Sequence, residues 1–435
     1  MPDLRVAVRA LRSRNYRLFF TGQSISLIGT WMTRIATSWL VYRLTDSAFL
    51  LGVVSFAGQI PAFFLAPIAG VWIDRWNRHR TLVWTQTFSM LQSFALAALA
   101  LGHVINIWWL ALLTLMQGLI NAFDMPTRQA FVVEMIDDRG DLGNAIALNS
   151  SMVNGARLIG PAIGGIIIAA VGEGYCFLID GISYIAVIIS LLMMVVRPRP
   201  ARSGNKRVFE ELAEGWRYVT ESQAIRWILG MLALVSLIGM PYQVLMPIMA
   251  GAVLHGGPHT LGFLMGMAGV GALISAISLA VRQSVLGLGR MIAIASAMFG
   301  GGLILFGFSR FLWSSLLLML FTGFGMMQQM AASNTILQTI VEDDKRGRVM
   351  SFYTLSILGI TPIGSLIAGT LAAKIGAPAT LILGGSVVAA AAAVFTLRLP
   401  ALRRVVRPIY AQLGIIPEVA AGIQSASAMQ TPPEG

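Results

Sequence analysis

Three charged residues stand inside stretches that are otherwise apolar enough to cross a membrane: Asp124, Arg128 and Arg157. Asp124 and Arg128 are four apart, so a helix carries both on one face and they can pair, with Arg157 as a third member. A half-buried carboxylate has its charged form disfavoured by desolvation and favoured by a nearby guanidinium, so proton binding there can be linked to opening and closing. The alternative is a static link that fixes two helices to each other. A charge near the bilayer centre costs at least about 2.5–3.5 kcal/mol by insertion scales, so it faces a partner or a wet cavity. Arg34 and Asp180 form a second candidate polar contact. Asn334, with Gln338 four residues on, stands at the position of Asp124 in a second copy of the pattern.

The elements that position these residues are long apolar segments cut by short charged or Gly/Pro turns. They fall near 16–42, 49–73, 81–102, 107–135, 142–171, 175–196, 226–253, 260–281, 291–309, 313–341, 349–373 and 378–397, twelve in all. With 56% hydrophobic and 11% charged residues over 435 positions, the chain reads as an all-α polytopic membrane protein. The net charge of +12 does not point to nucleic acid, because no basic face with interleaved aromatics is present. The basic residues gather in alternate turns instead. Of the 31, only Arg43, Arg310 and Lys374 fall on the side opposite the termini, and Arg34, Arg128 and Arg157 lie within segments. Both termini are therefore expected in the cytoplasm. One cysteine, Cys176, excludes an intrachain disulfide.

Two halves repeat. Ser26-Leu27-Ile28-Gly29 recurs as Ser236-Leu237-Ile238-Gly239, and at the same spacing Leu51-Gly52 falls on Leu261-Gly262, Arg80 on Arg290 and Asp124 on Asn334. Six plus six spans in parallel repeat suit two pseudo-symmetric bundles around a midplane cavity. The expected division is 1–196 and 226–399 for the bundles, 197–225 for a cytoplasmic linker with a short amphipathic helix, and 400–435 for a cytoplasmic tail that is largely disordered at its end. Aromatic and Met side chains such as Trp31, Phe63 and Met326 suit bulky amphipathic substrates, although most are expected to meet lipid or other helices.

Two motifs carry a family resemblance. The turn after the second segment contains Gly70, Asp74, Arg75, Arg78 and Arg80, and resembles the G-x-x-x-D-R-x-G-R-R/K loop of the major facilitator superfamily, with Asn77 in place of the second glycine. The fifth segment reads Gly160-Pro161-Ala-Ile-Gly164-Gly165 and resembles the G-P-x-x-G-G motif of its proton-coupled exporters; the fourth lacks the arginine these usually carry, having Thr114 before Gln117-Gly118. Longer strings, among them Asn121-Ala-Phe-Asp-Met-Pro-Thr-Arg128 and Arg346-Gly-Arg-Val-Met-Ser351, are similar to the branch holding the enterobactin exporters and related bacterial drug-efflux proteins. The resemblance implies a gating loop, export of a small amphipathic siderophore or drug, a proton as driving ion with no cofactor, and a monomer among lipids of a bacterial inner membrane. A lipid or lysophospholipid flippase, with Arg128, Arg157 or Arg34 holding a phosphate, is the alternative. No phosphate-binding loop, nucleophile elbow or His-Glu-x-x-His string occurs, so neither ATP-driven pumping nor hydrolysis is expected, and no metal site.

Overall fold

The computed structural model describes residues 8–196, 208–282 and 284–413, with side chains 66–68, 70, 71, 73–75 and 208–213 left undescribed. Residues 197–207 of the linker, the end of the tail, the burial of Gly70 and the side chains of Asp74 and Arg75 thus lie outside the described residues. The first half of the chain forms α1 (Arg14–Thr45), α2 (Ala48–Arg75), α3 (Arg78–Leu101), α4 (Ile107–Phe131), α5 (Leu142–Val171) and α6 (Glu173–Leu192). A short helix α7 (Val208–Glu221) precedes the second half. There α8 (Gln223–Leu234) and α9 (Tyr242–Ile248) are followed by α10 (Pro258–Ala280), α11 (Leu288–Phe308) and α12 (Leu312–Ile340). The chain closes with α13 (Asp343–Thr354), α14 (Thr361–Ile375) and α15 (Ala377–Gln412).

The turns are set by local chemistry. Asp46 takes a left-handed conformation (φ 46°) after α1, and the Ser47 hydroxyl caps α2 by accepting from the Leu50 amide at 3.3 Å. Asn106 caps α4 through the amides of Trp108 and Trp109. Trp108 and Trp313, at the same end of the molecule as these turns, are 79% and 82% exposed, as interface anchors are.

Ten helical stretches among the described residues are long and apolar enough to cross a membrane. Of the twelve segments read from the sequence, α1 and α3 are the two outside that set. Both are long, but α3 carries Thr85, Gln86, Ser89, Gln92 and Ser93, all buried. Two segments contain five-residue π-helical turns, Val235–Gly239 and Met249–Val253 in one and Leu355–Gly359 in the other. These divide rods that periodicity alone reads as continuous. The last helix also runs past Pro400 to Gln412, beyond the expected start of the tail.

Helices pack chiefly within their own half: α1 on α5 and α6, α2 on α4 and α3 on α6 in the first, α10 on α12 and α11 on α12 and α15 in the second. Two extended contacts cross between halves, α5 against α10 and α2 against α14. Both are glycine on glycine. A Cβ placed on Gly165 would lie 2.6 Å from the Pro258 carbonyl oxygen, and one on Gly52 would lie 2.8 Å from that of Ser365. Small residues let backbones approach this closely, the means by which helices associate where lipid offers no hydrophobic drive.

Candidate transport site

Between the crossing contacts lies a cavity of about 240 Å³. Its walls come from both halves: Thr33, Arg34, Thr37 and Ser38 of α1, Ser55 and Gln59 of α2, Gln117 and Asn121 of α4, Asp180 and Tyr184 of α6, then Gln243, Met265, Thr361 and Ser365. Polar groups alternate with Ile35, Val41, Leu51, Val54, Met240, Val244 and Leu261. The lining is thus mixed, with more polar residues than the mainly apolar walls usual in small-molecule sites. Of the aromatic and Met residues singled out from the sequence, none borders it. Met326 is buried in the core and Phe64 is 65% exposed on the outside.

Asp124 and Arg128 form the expected pair along α4. The pair is embedded more deeply than a two-residue motif suggests. Thr85 Oγ1 donates to Asp124 Oδ1 at 2.8 Å and Gln86 Nε2 to the same oxygen at 2.7 Å, leaving Asp124 only 2% exposed. Asp180, 1% exposed, accepts at Oδ2 from Thr33 Oγ1 (2.9 Å) and Ser93 Oγ (3.0 Å). Thr85, Gln86 and Ser93 all come from α3, and between them Ser89 accepts from Gln117 at 3.1 Å while Gln92 donates to the Leu113 carbonyl at 3.1 Å. The polar stripe of α3 thus runs along one helix from Asp124 to Asp180, bonding each acid at one end. Sequence reasoning missed it, although the i, i+4, i+7 spacing of Thr85, Ser89 and Gln92 marks one face of a helix.

Two expected contacts are not formed. Asp180 and Arg34 border the same cavity, but the carboxylate is taken up by Thr33 and Ser93 and makes no ion pair with Arg34. Arg157 does not join Asp124 and Arg128. Its guanidinium lies 5.6 Å from the centre of the Trp31 ring, and that of Arg34 lies 4.5 Å from the same centre. Both are within the range of a cation–π contact. Gly160 makes this possible, because a Cβ there would stand 2.5 Å from Trp31 Cβ and 2.9 Å from the Ile28 carbonyl oxygen. Gly164 faces Met32 in the same way, whereas Gly165 turns to α10. Pro161, inside α5, presents its carbonyl to Gly262. The Gly160–Gly165 string therefore packs α5 on two neighbours at once.

In the first turn of α3, Arg78 Nη1 pairs with Glu134 at 2.8 Å, beyond the end of α4, while Arg80 is exposed. Asn77, where the superfamily has glycine, caps α3 by accepting from the Arg80 amide at 3.0 Å. Asn334 repeats the geometry of Asp124 without charge, accepting from Gln338 on the same helix face.

A many-helix membrane chain with a chamber walled by both halves has the architecture of a transporter. Residues 6–412 match the transmembrane secretion effector family of the major facilitator superfamily, and the chain belongs to it. It is 27% identical over 356 residues to the staphyloferrin A transporter of Staphylococcus aureus, which covers 81% of this chain and 88% of that one. It is 27% identical to the multidrug efflux pump Tap of Mycolicibacterium fortuitum, over 81% of this chain and 88% of the pump. With the macrolide efflux protein A of Streptococcus pyogenes it shares 22% identity over 86% of this chain and 94% of that protein. In fold it resembles the nucleoside transporter NupG (TM-score 0.72, 12% identity, 88% of this chain and 99% of that one). A bacterial homologue of the iron transporter ferroportin, in an inward-facing state, gives a TM-score of 0.64 at 17% identity, over 87% and 98% of the two chains. None of these is described as moving a lipid, so the flippase alternative gains no support.

Proposed function

We propose that this protein is a secondary active exporter of a small amphipathic molecule, a siderophore or a drug, driven by proton antiport through alternating access. The single observation that carries the reading is the chamber walled by both halves, with Arg34 and Asp180 on its lining. Twelve spans in two six-helix bundles, divided near residues 196 and 226, fit the packing within each half and the excess of Lys and Arg on one side. That excess supports a bacterial inner membrane with both termini cytoplasmic, and a monomer suffices to enclose the chamber. The glycine contacts close the end away from the termini, while Cβ atoms on Gly143 and Gly155, in the half of α5 toward the termini, would meet nothing within 4 Å. The arrangement suits a state open to the cytoplasm.

Asp124 is the proposed coupling acid, and Asp180 is bonded to the same polar face of α3. Purified protein in liposomes, loaded with a fluorescent amphipathic drug under an imposed pH gradient, tests this. Wild type is expected to follow the gradient, and Asp124→Asn to exchange substrate only passively. A wild-type flux indifferent to the pH gradient sinks the antiport reading.

A further inference from the structure

Charge does not balance around Trp31. Arg34 and Arg157 approach one indole ring at 4.5 and 5.6 Å, so the two guanidinium carbons are no farther apart than the sum of those distances. Neither makes an ion pair among the described residues. No acid within the first-half helices whose side chain is described pairs with either arginine. Asp124 holds Arg128, Thr85 and Gln86; Asp180 holds Thr33 and Ser93; Glu173 holds Arg43 at 3.0 Å. The second half supplies none, since no Asp or Glu occurs between Glu221 and Glu342. Arg157 sits near the middle of α5, and Arg34 about 16 Å along the axis from the end of α1 at 1.5 Å per residue. Two like charges so deep in the span repel each other across an electron-rich ring, and the ring relieves that only in part.

We infer that Arg34, on the wall of the chamber, and Arg157, the second guanidinium on the Trp31 ring, form an anion subsite, and that the transported molecule is a small organic acid with a flat apolar body. This rests on the exporter reading and narrows its substrate. Guanidinium groups offer a planar fork of donors matched to a carboxylate, and the Trp31 ring holds both in place before the acid arrives. The apolar body has Leu51, Val54, Met240, Val244 and Leu261 to lie against, within a volume of about 240 Å³. Asp180 also borders the chamber, its Oδ2 held by Thr33, the neighbour of Arg34, and by Ser93. A cationic molecule would meet two guanidinium groups against that single carboxylate. The site thus selects against cations as well as for anions.

The test uses the full chain in phosphatidylcholine nanodiscs, which bring no net-negative headgroup to compete. Three probes of one shape are compared by calorimetry: 2-naphthoate, 2-naphthamide and 2-naphthylmethylammonium. Naphthoate is expected to bind at least about tenfold tighter than either other probe, a charge-assisted hydrogen bond's worth of affinity. Arg34→Gln and Arg157→Gln are each expected to lose about tenfold for naphthoate while melting as wild type does, and Arg34→Lys to recover part of the loss. Tighter binding of the ammonium probe, no binding of naphthoate to wild type, or unchanged naphthoate affinity in both Gln variants would each overturn the inference. If naphthoate fails while wild type still carries a fluorescent cation along the pH gradient, the exporter reading stands without the anion subsite. If naphthoate binds as expected but no substrate crosses, the subsite stands and the exporter reading falls.

Discussion

Gly160→Ala isolates what the glycines of α5 do. An added Cβ would come within 2.5 Å of Trp31 Cβ, 2.9 Å of the Ile28 carbonyl oxygen and 3.5 Å of Trp31 Cα. None of these is the free end of a flexible side chain, so α1 and α5 must move apart. Overpacking of this sort costs about 1–3 kcal/mol, and the gain in helix propensity from Gly to Ala offsets about 1 kcal/mol of it. The net expectation is a loss of up to about 2 kcal/mol, which a thermal melt in detergent reads as a fall of up to about 2 °C. Gly155→Ala is the matched control, since it is on the same helix and its Cβ would meet nothing within 4 Å. It keeps the propensity gain without the clash and is expected to melt at or above wild type. Both melts are run at one scan rate, because unfolding from detergent is a rate as much as an equilibrium. Equal melting of the two variants would refute the view that helix approach at Trp31 is why glycine stands at position 160.

Other expectations are equally direct. Asn77→Ala removes the cap of α3 and is expected to cost about 1 kcal/mol, whereas Asn77→Gly costs only a few tenths; chemical unfolding of the pair distinguishes a cap from a hinge. Ser93→Ala takes one hydrogen bond from a buried carboxylate and should lower stability by about 1–3 kcal/mol, while Ser151→Ala, an exposed hydroxyl bonded only to its own helix, leaves the melt unchanged. Replacing Glu134 with Arg should weaken the attachment of the α2–α3 turn, and adding Arg78→Glu should restore part of it, as a double-mutant cycle in melting temperature would show.

What could be read from the chain beforehand followed from one-dimensional spacing. The long apolar segments, their turns and the Asp124–Arg128 pair all depend on residues near one another in sequence, and these were legible. The partner of Arg157 was not. Its depth in the membrane follows from its position in α5, but which neighbouring helix it faces depends on the rotation of α5 about its axis. That rotation is set by Gly160 against Trp31 and Gly165 against Gly262. The same holds for Asp180: depth placed it beside Arg34, whereas side-chain direction gave it to Thr33 and Ser93. The π-helical turns were hidden for a related reason. Gly239 and Gly359 end two of them, and a Cβ at either would strike an aromatic ring, Phe299 and Phe63 respectively. Those rings come from other helices, and a sequence window does not see them.

The repeat of Leu51-Gly52 as Leu261-Gly262 has a mechanical meaning once both glycines are seen at the crossings between halves. At each crossing a Cα hydrogen stands where a Cβ would and points at a backbone oxygen: Gly52 at Ser365, Gly369 at Ala48, Gly165 at Pro258, Gly262 at Pro161. Such contacts contribute about 0.5–1 kcal/mol apiece, so the four together hold the halves with roughly 2–4 kcal/mol. One elementary charge crossing a membrane at 100 mV releases about 2.3 kcal/mol. The four contacts together are of that size. A hinge fastened by interlocked leucines would take more to part than one fastened by bare backbone.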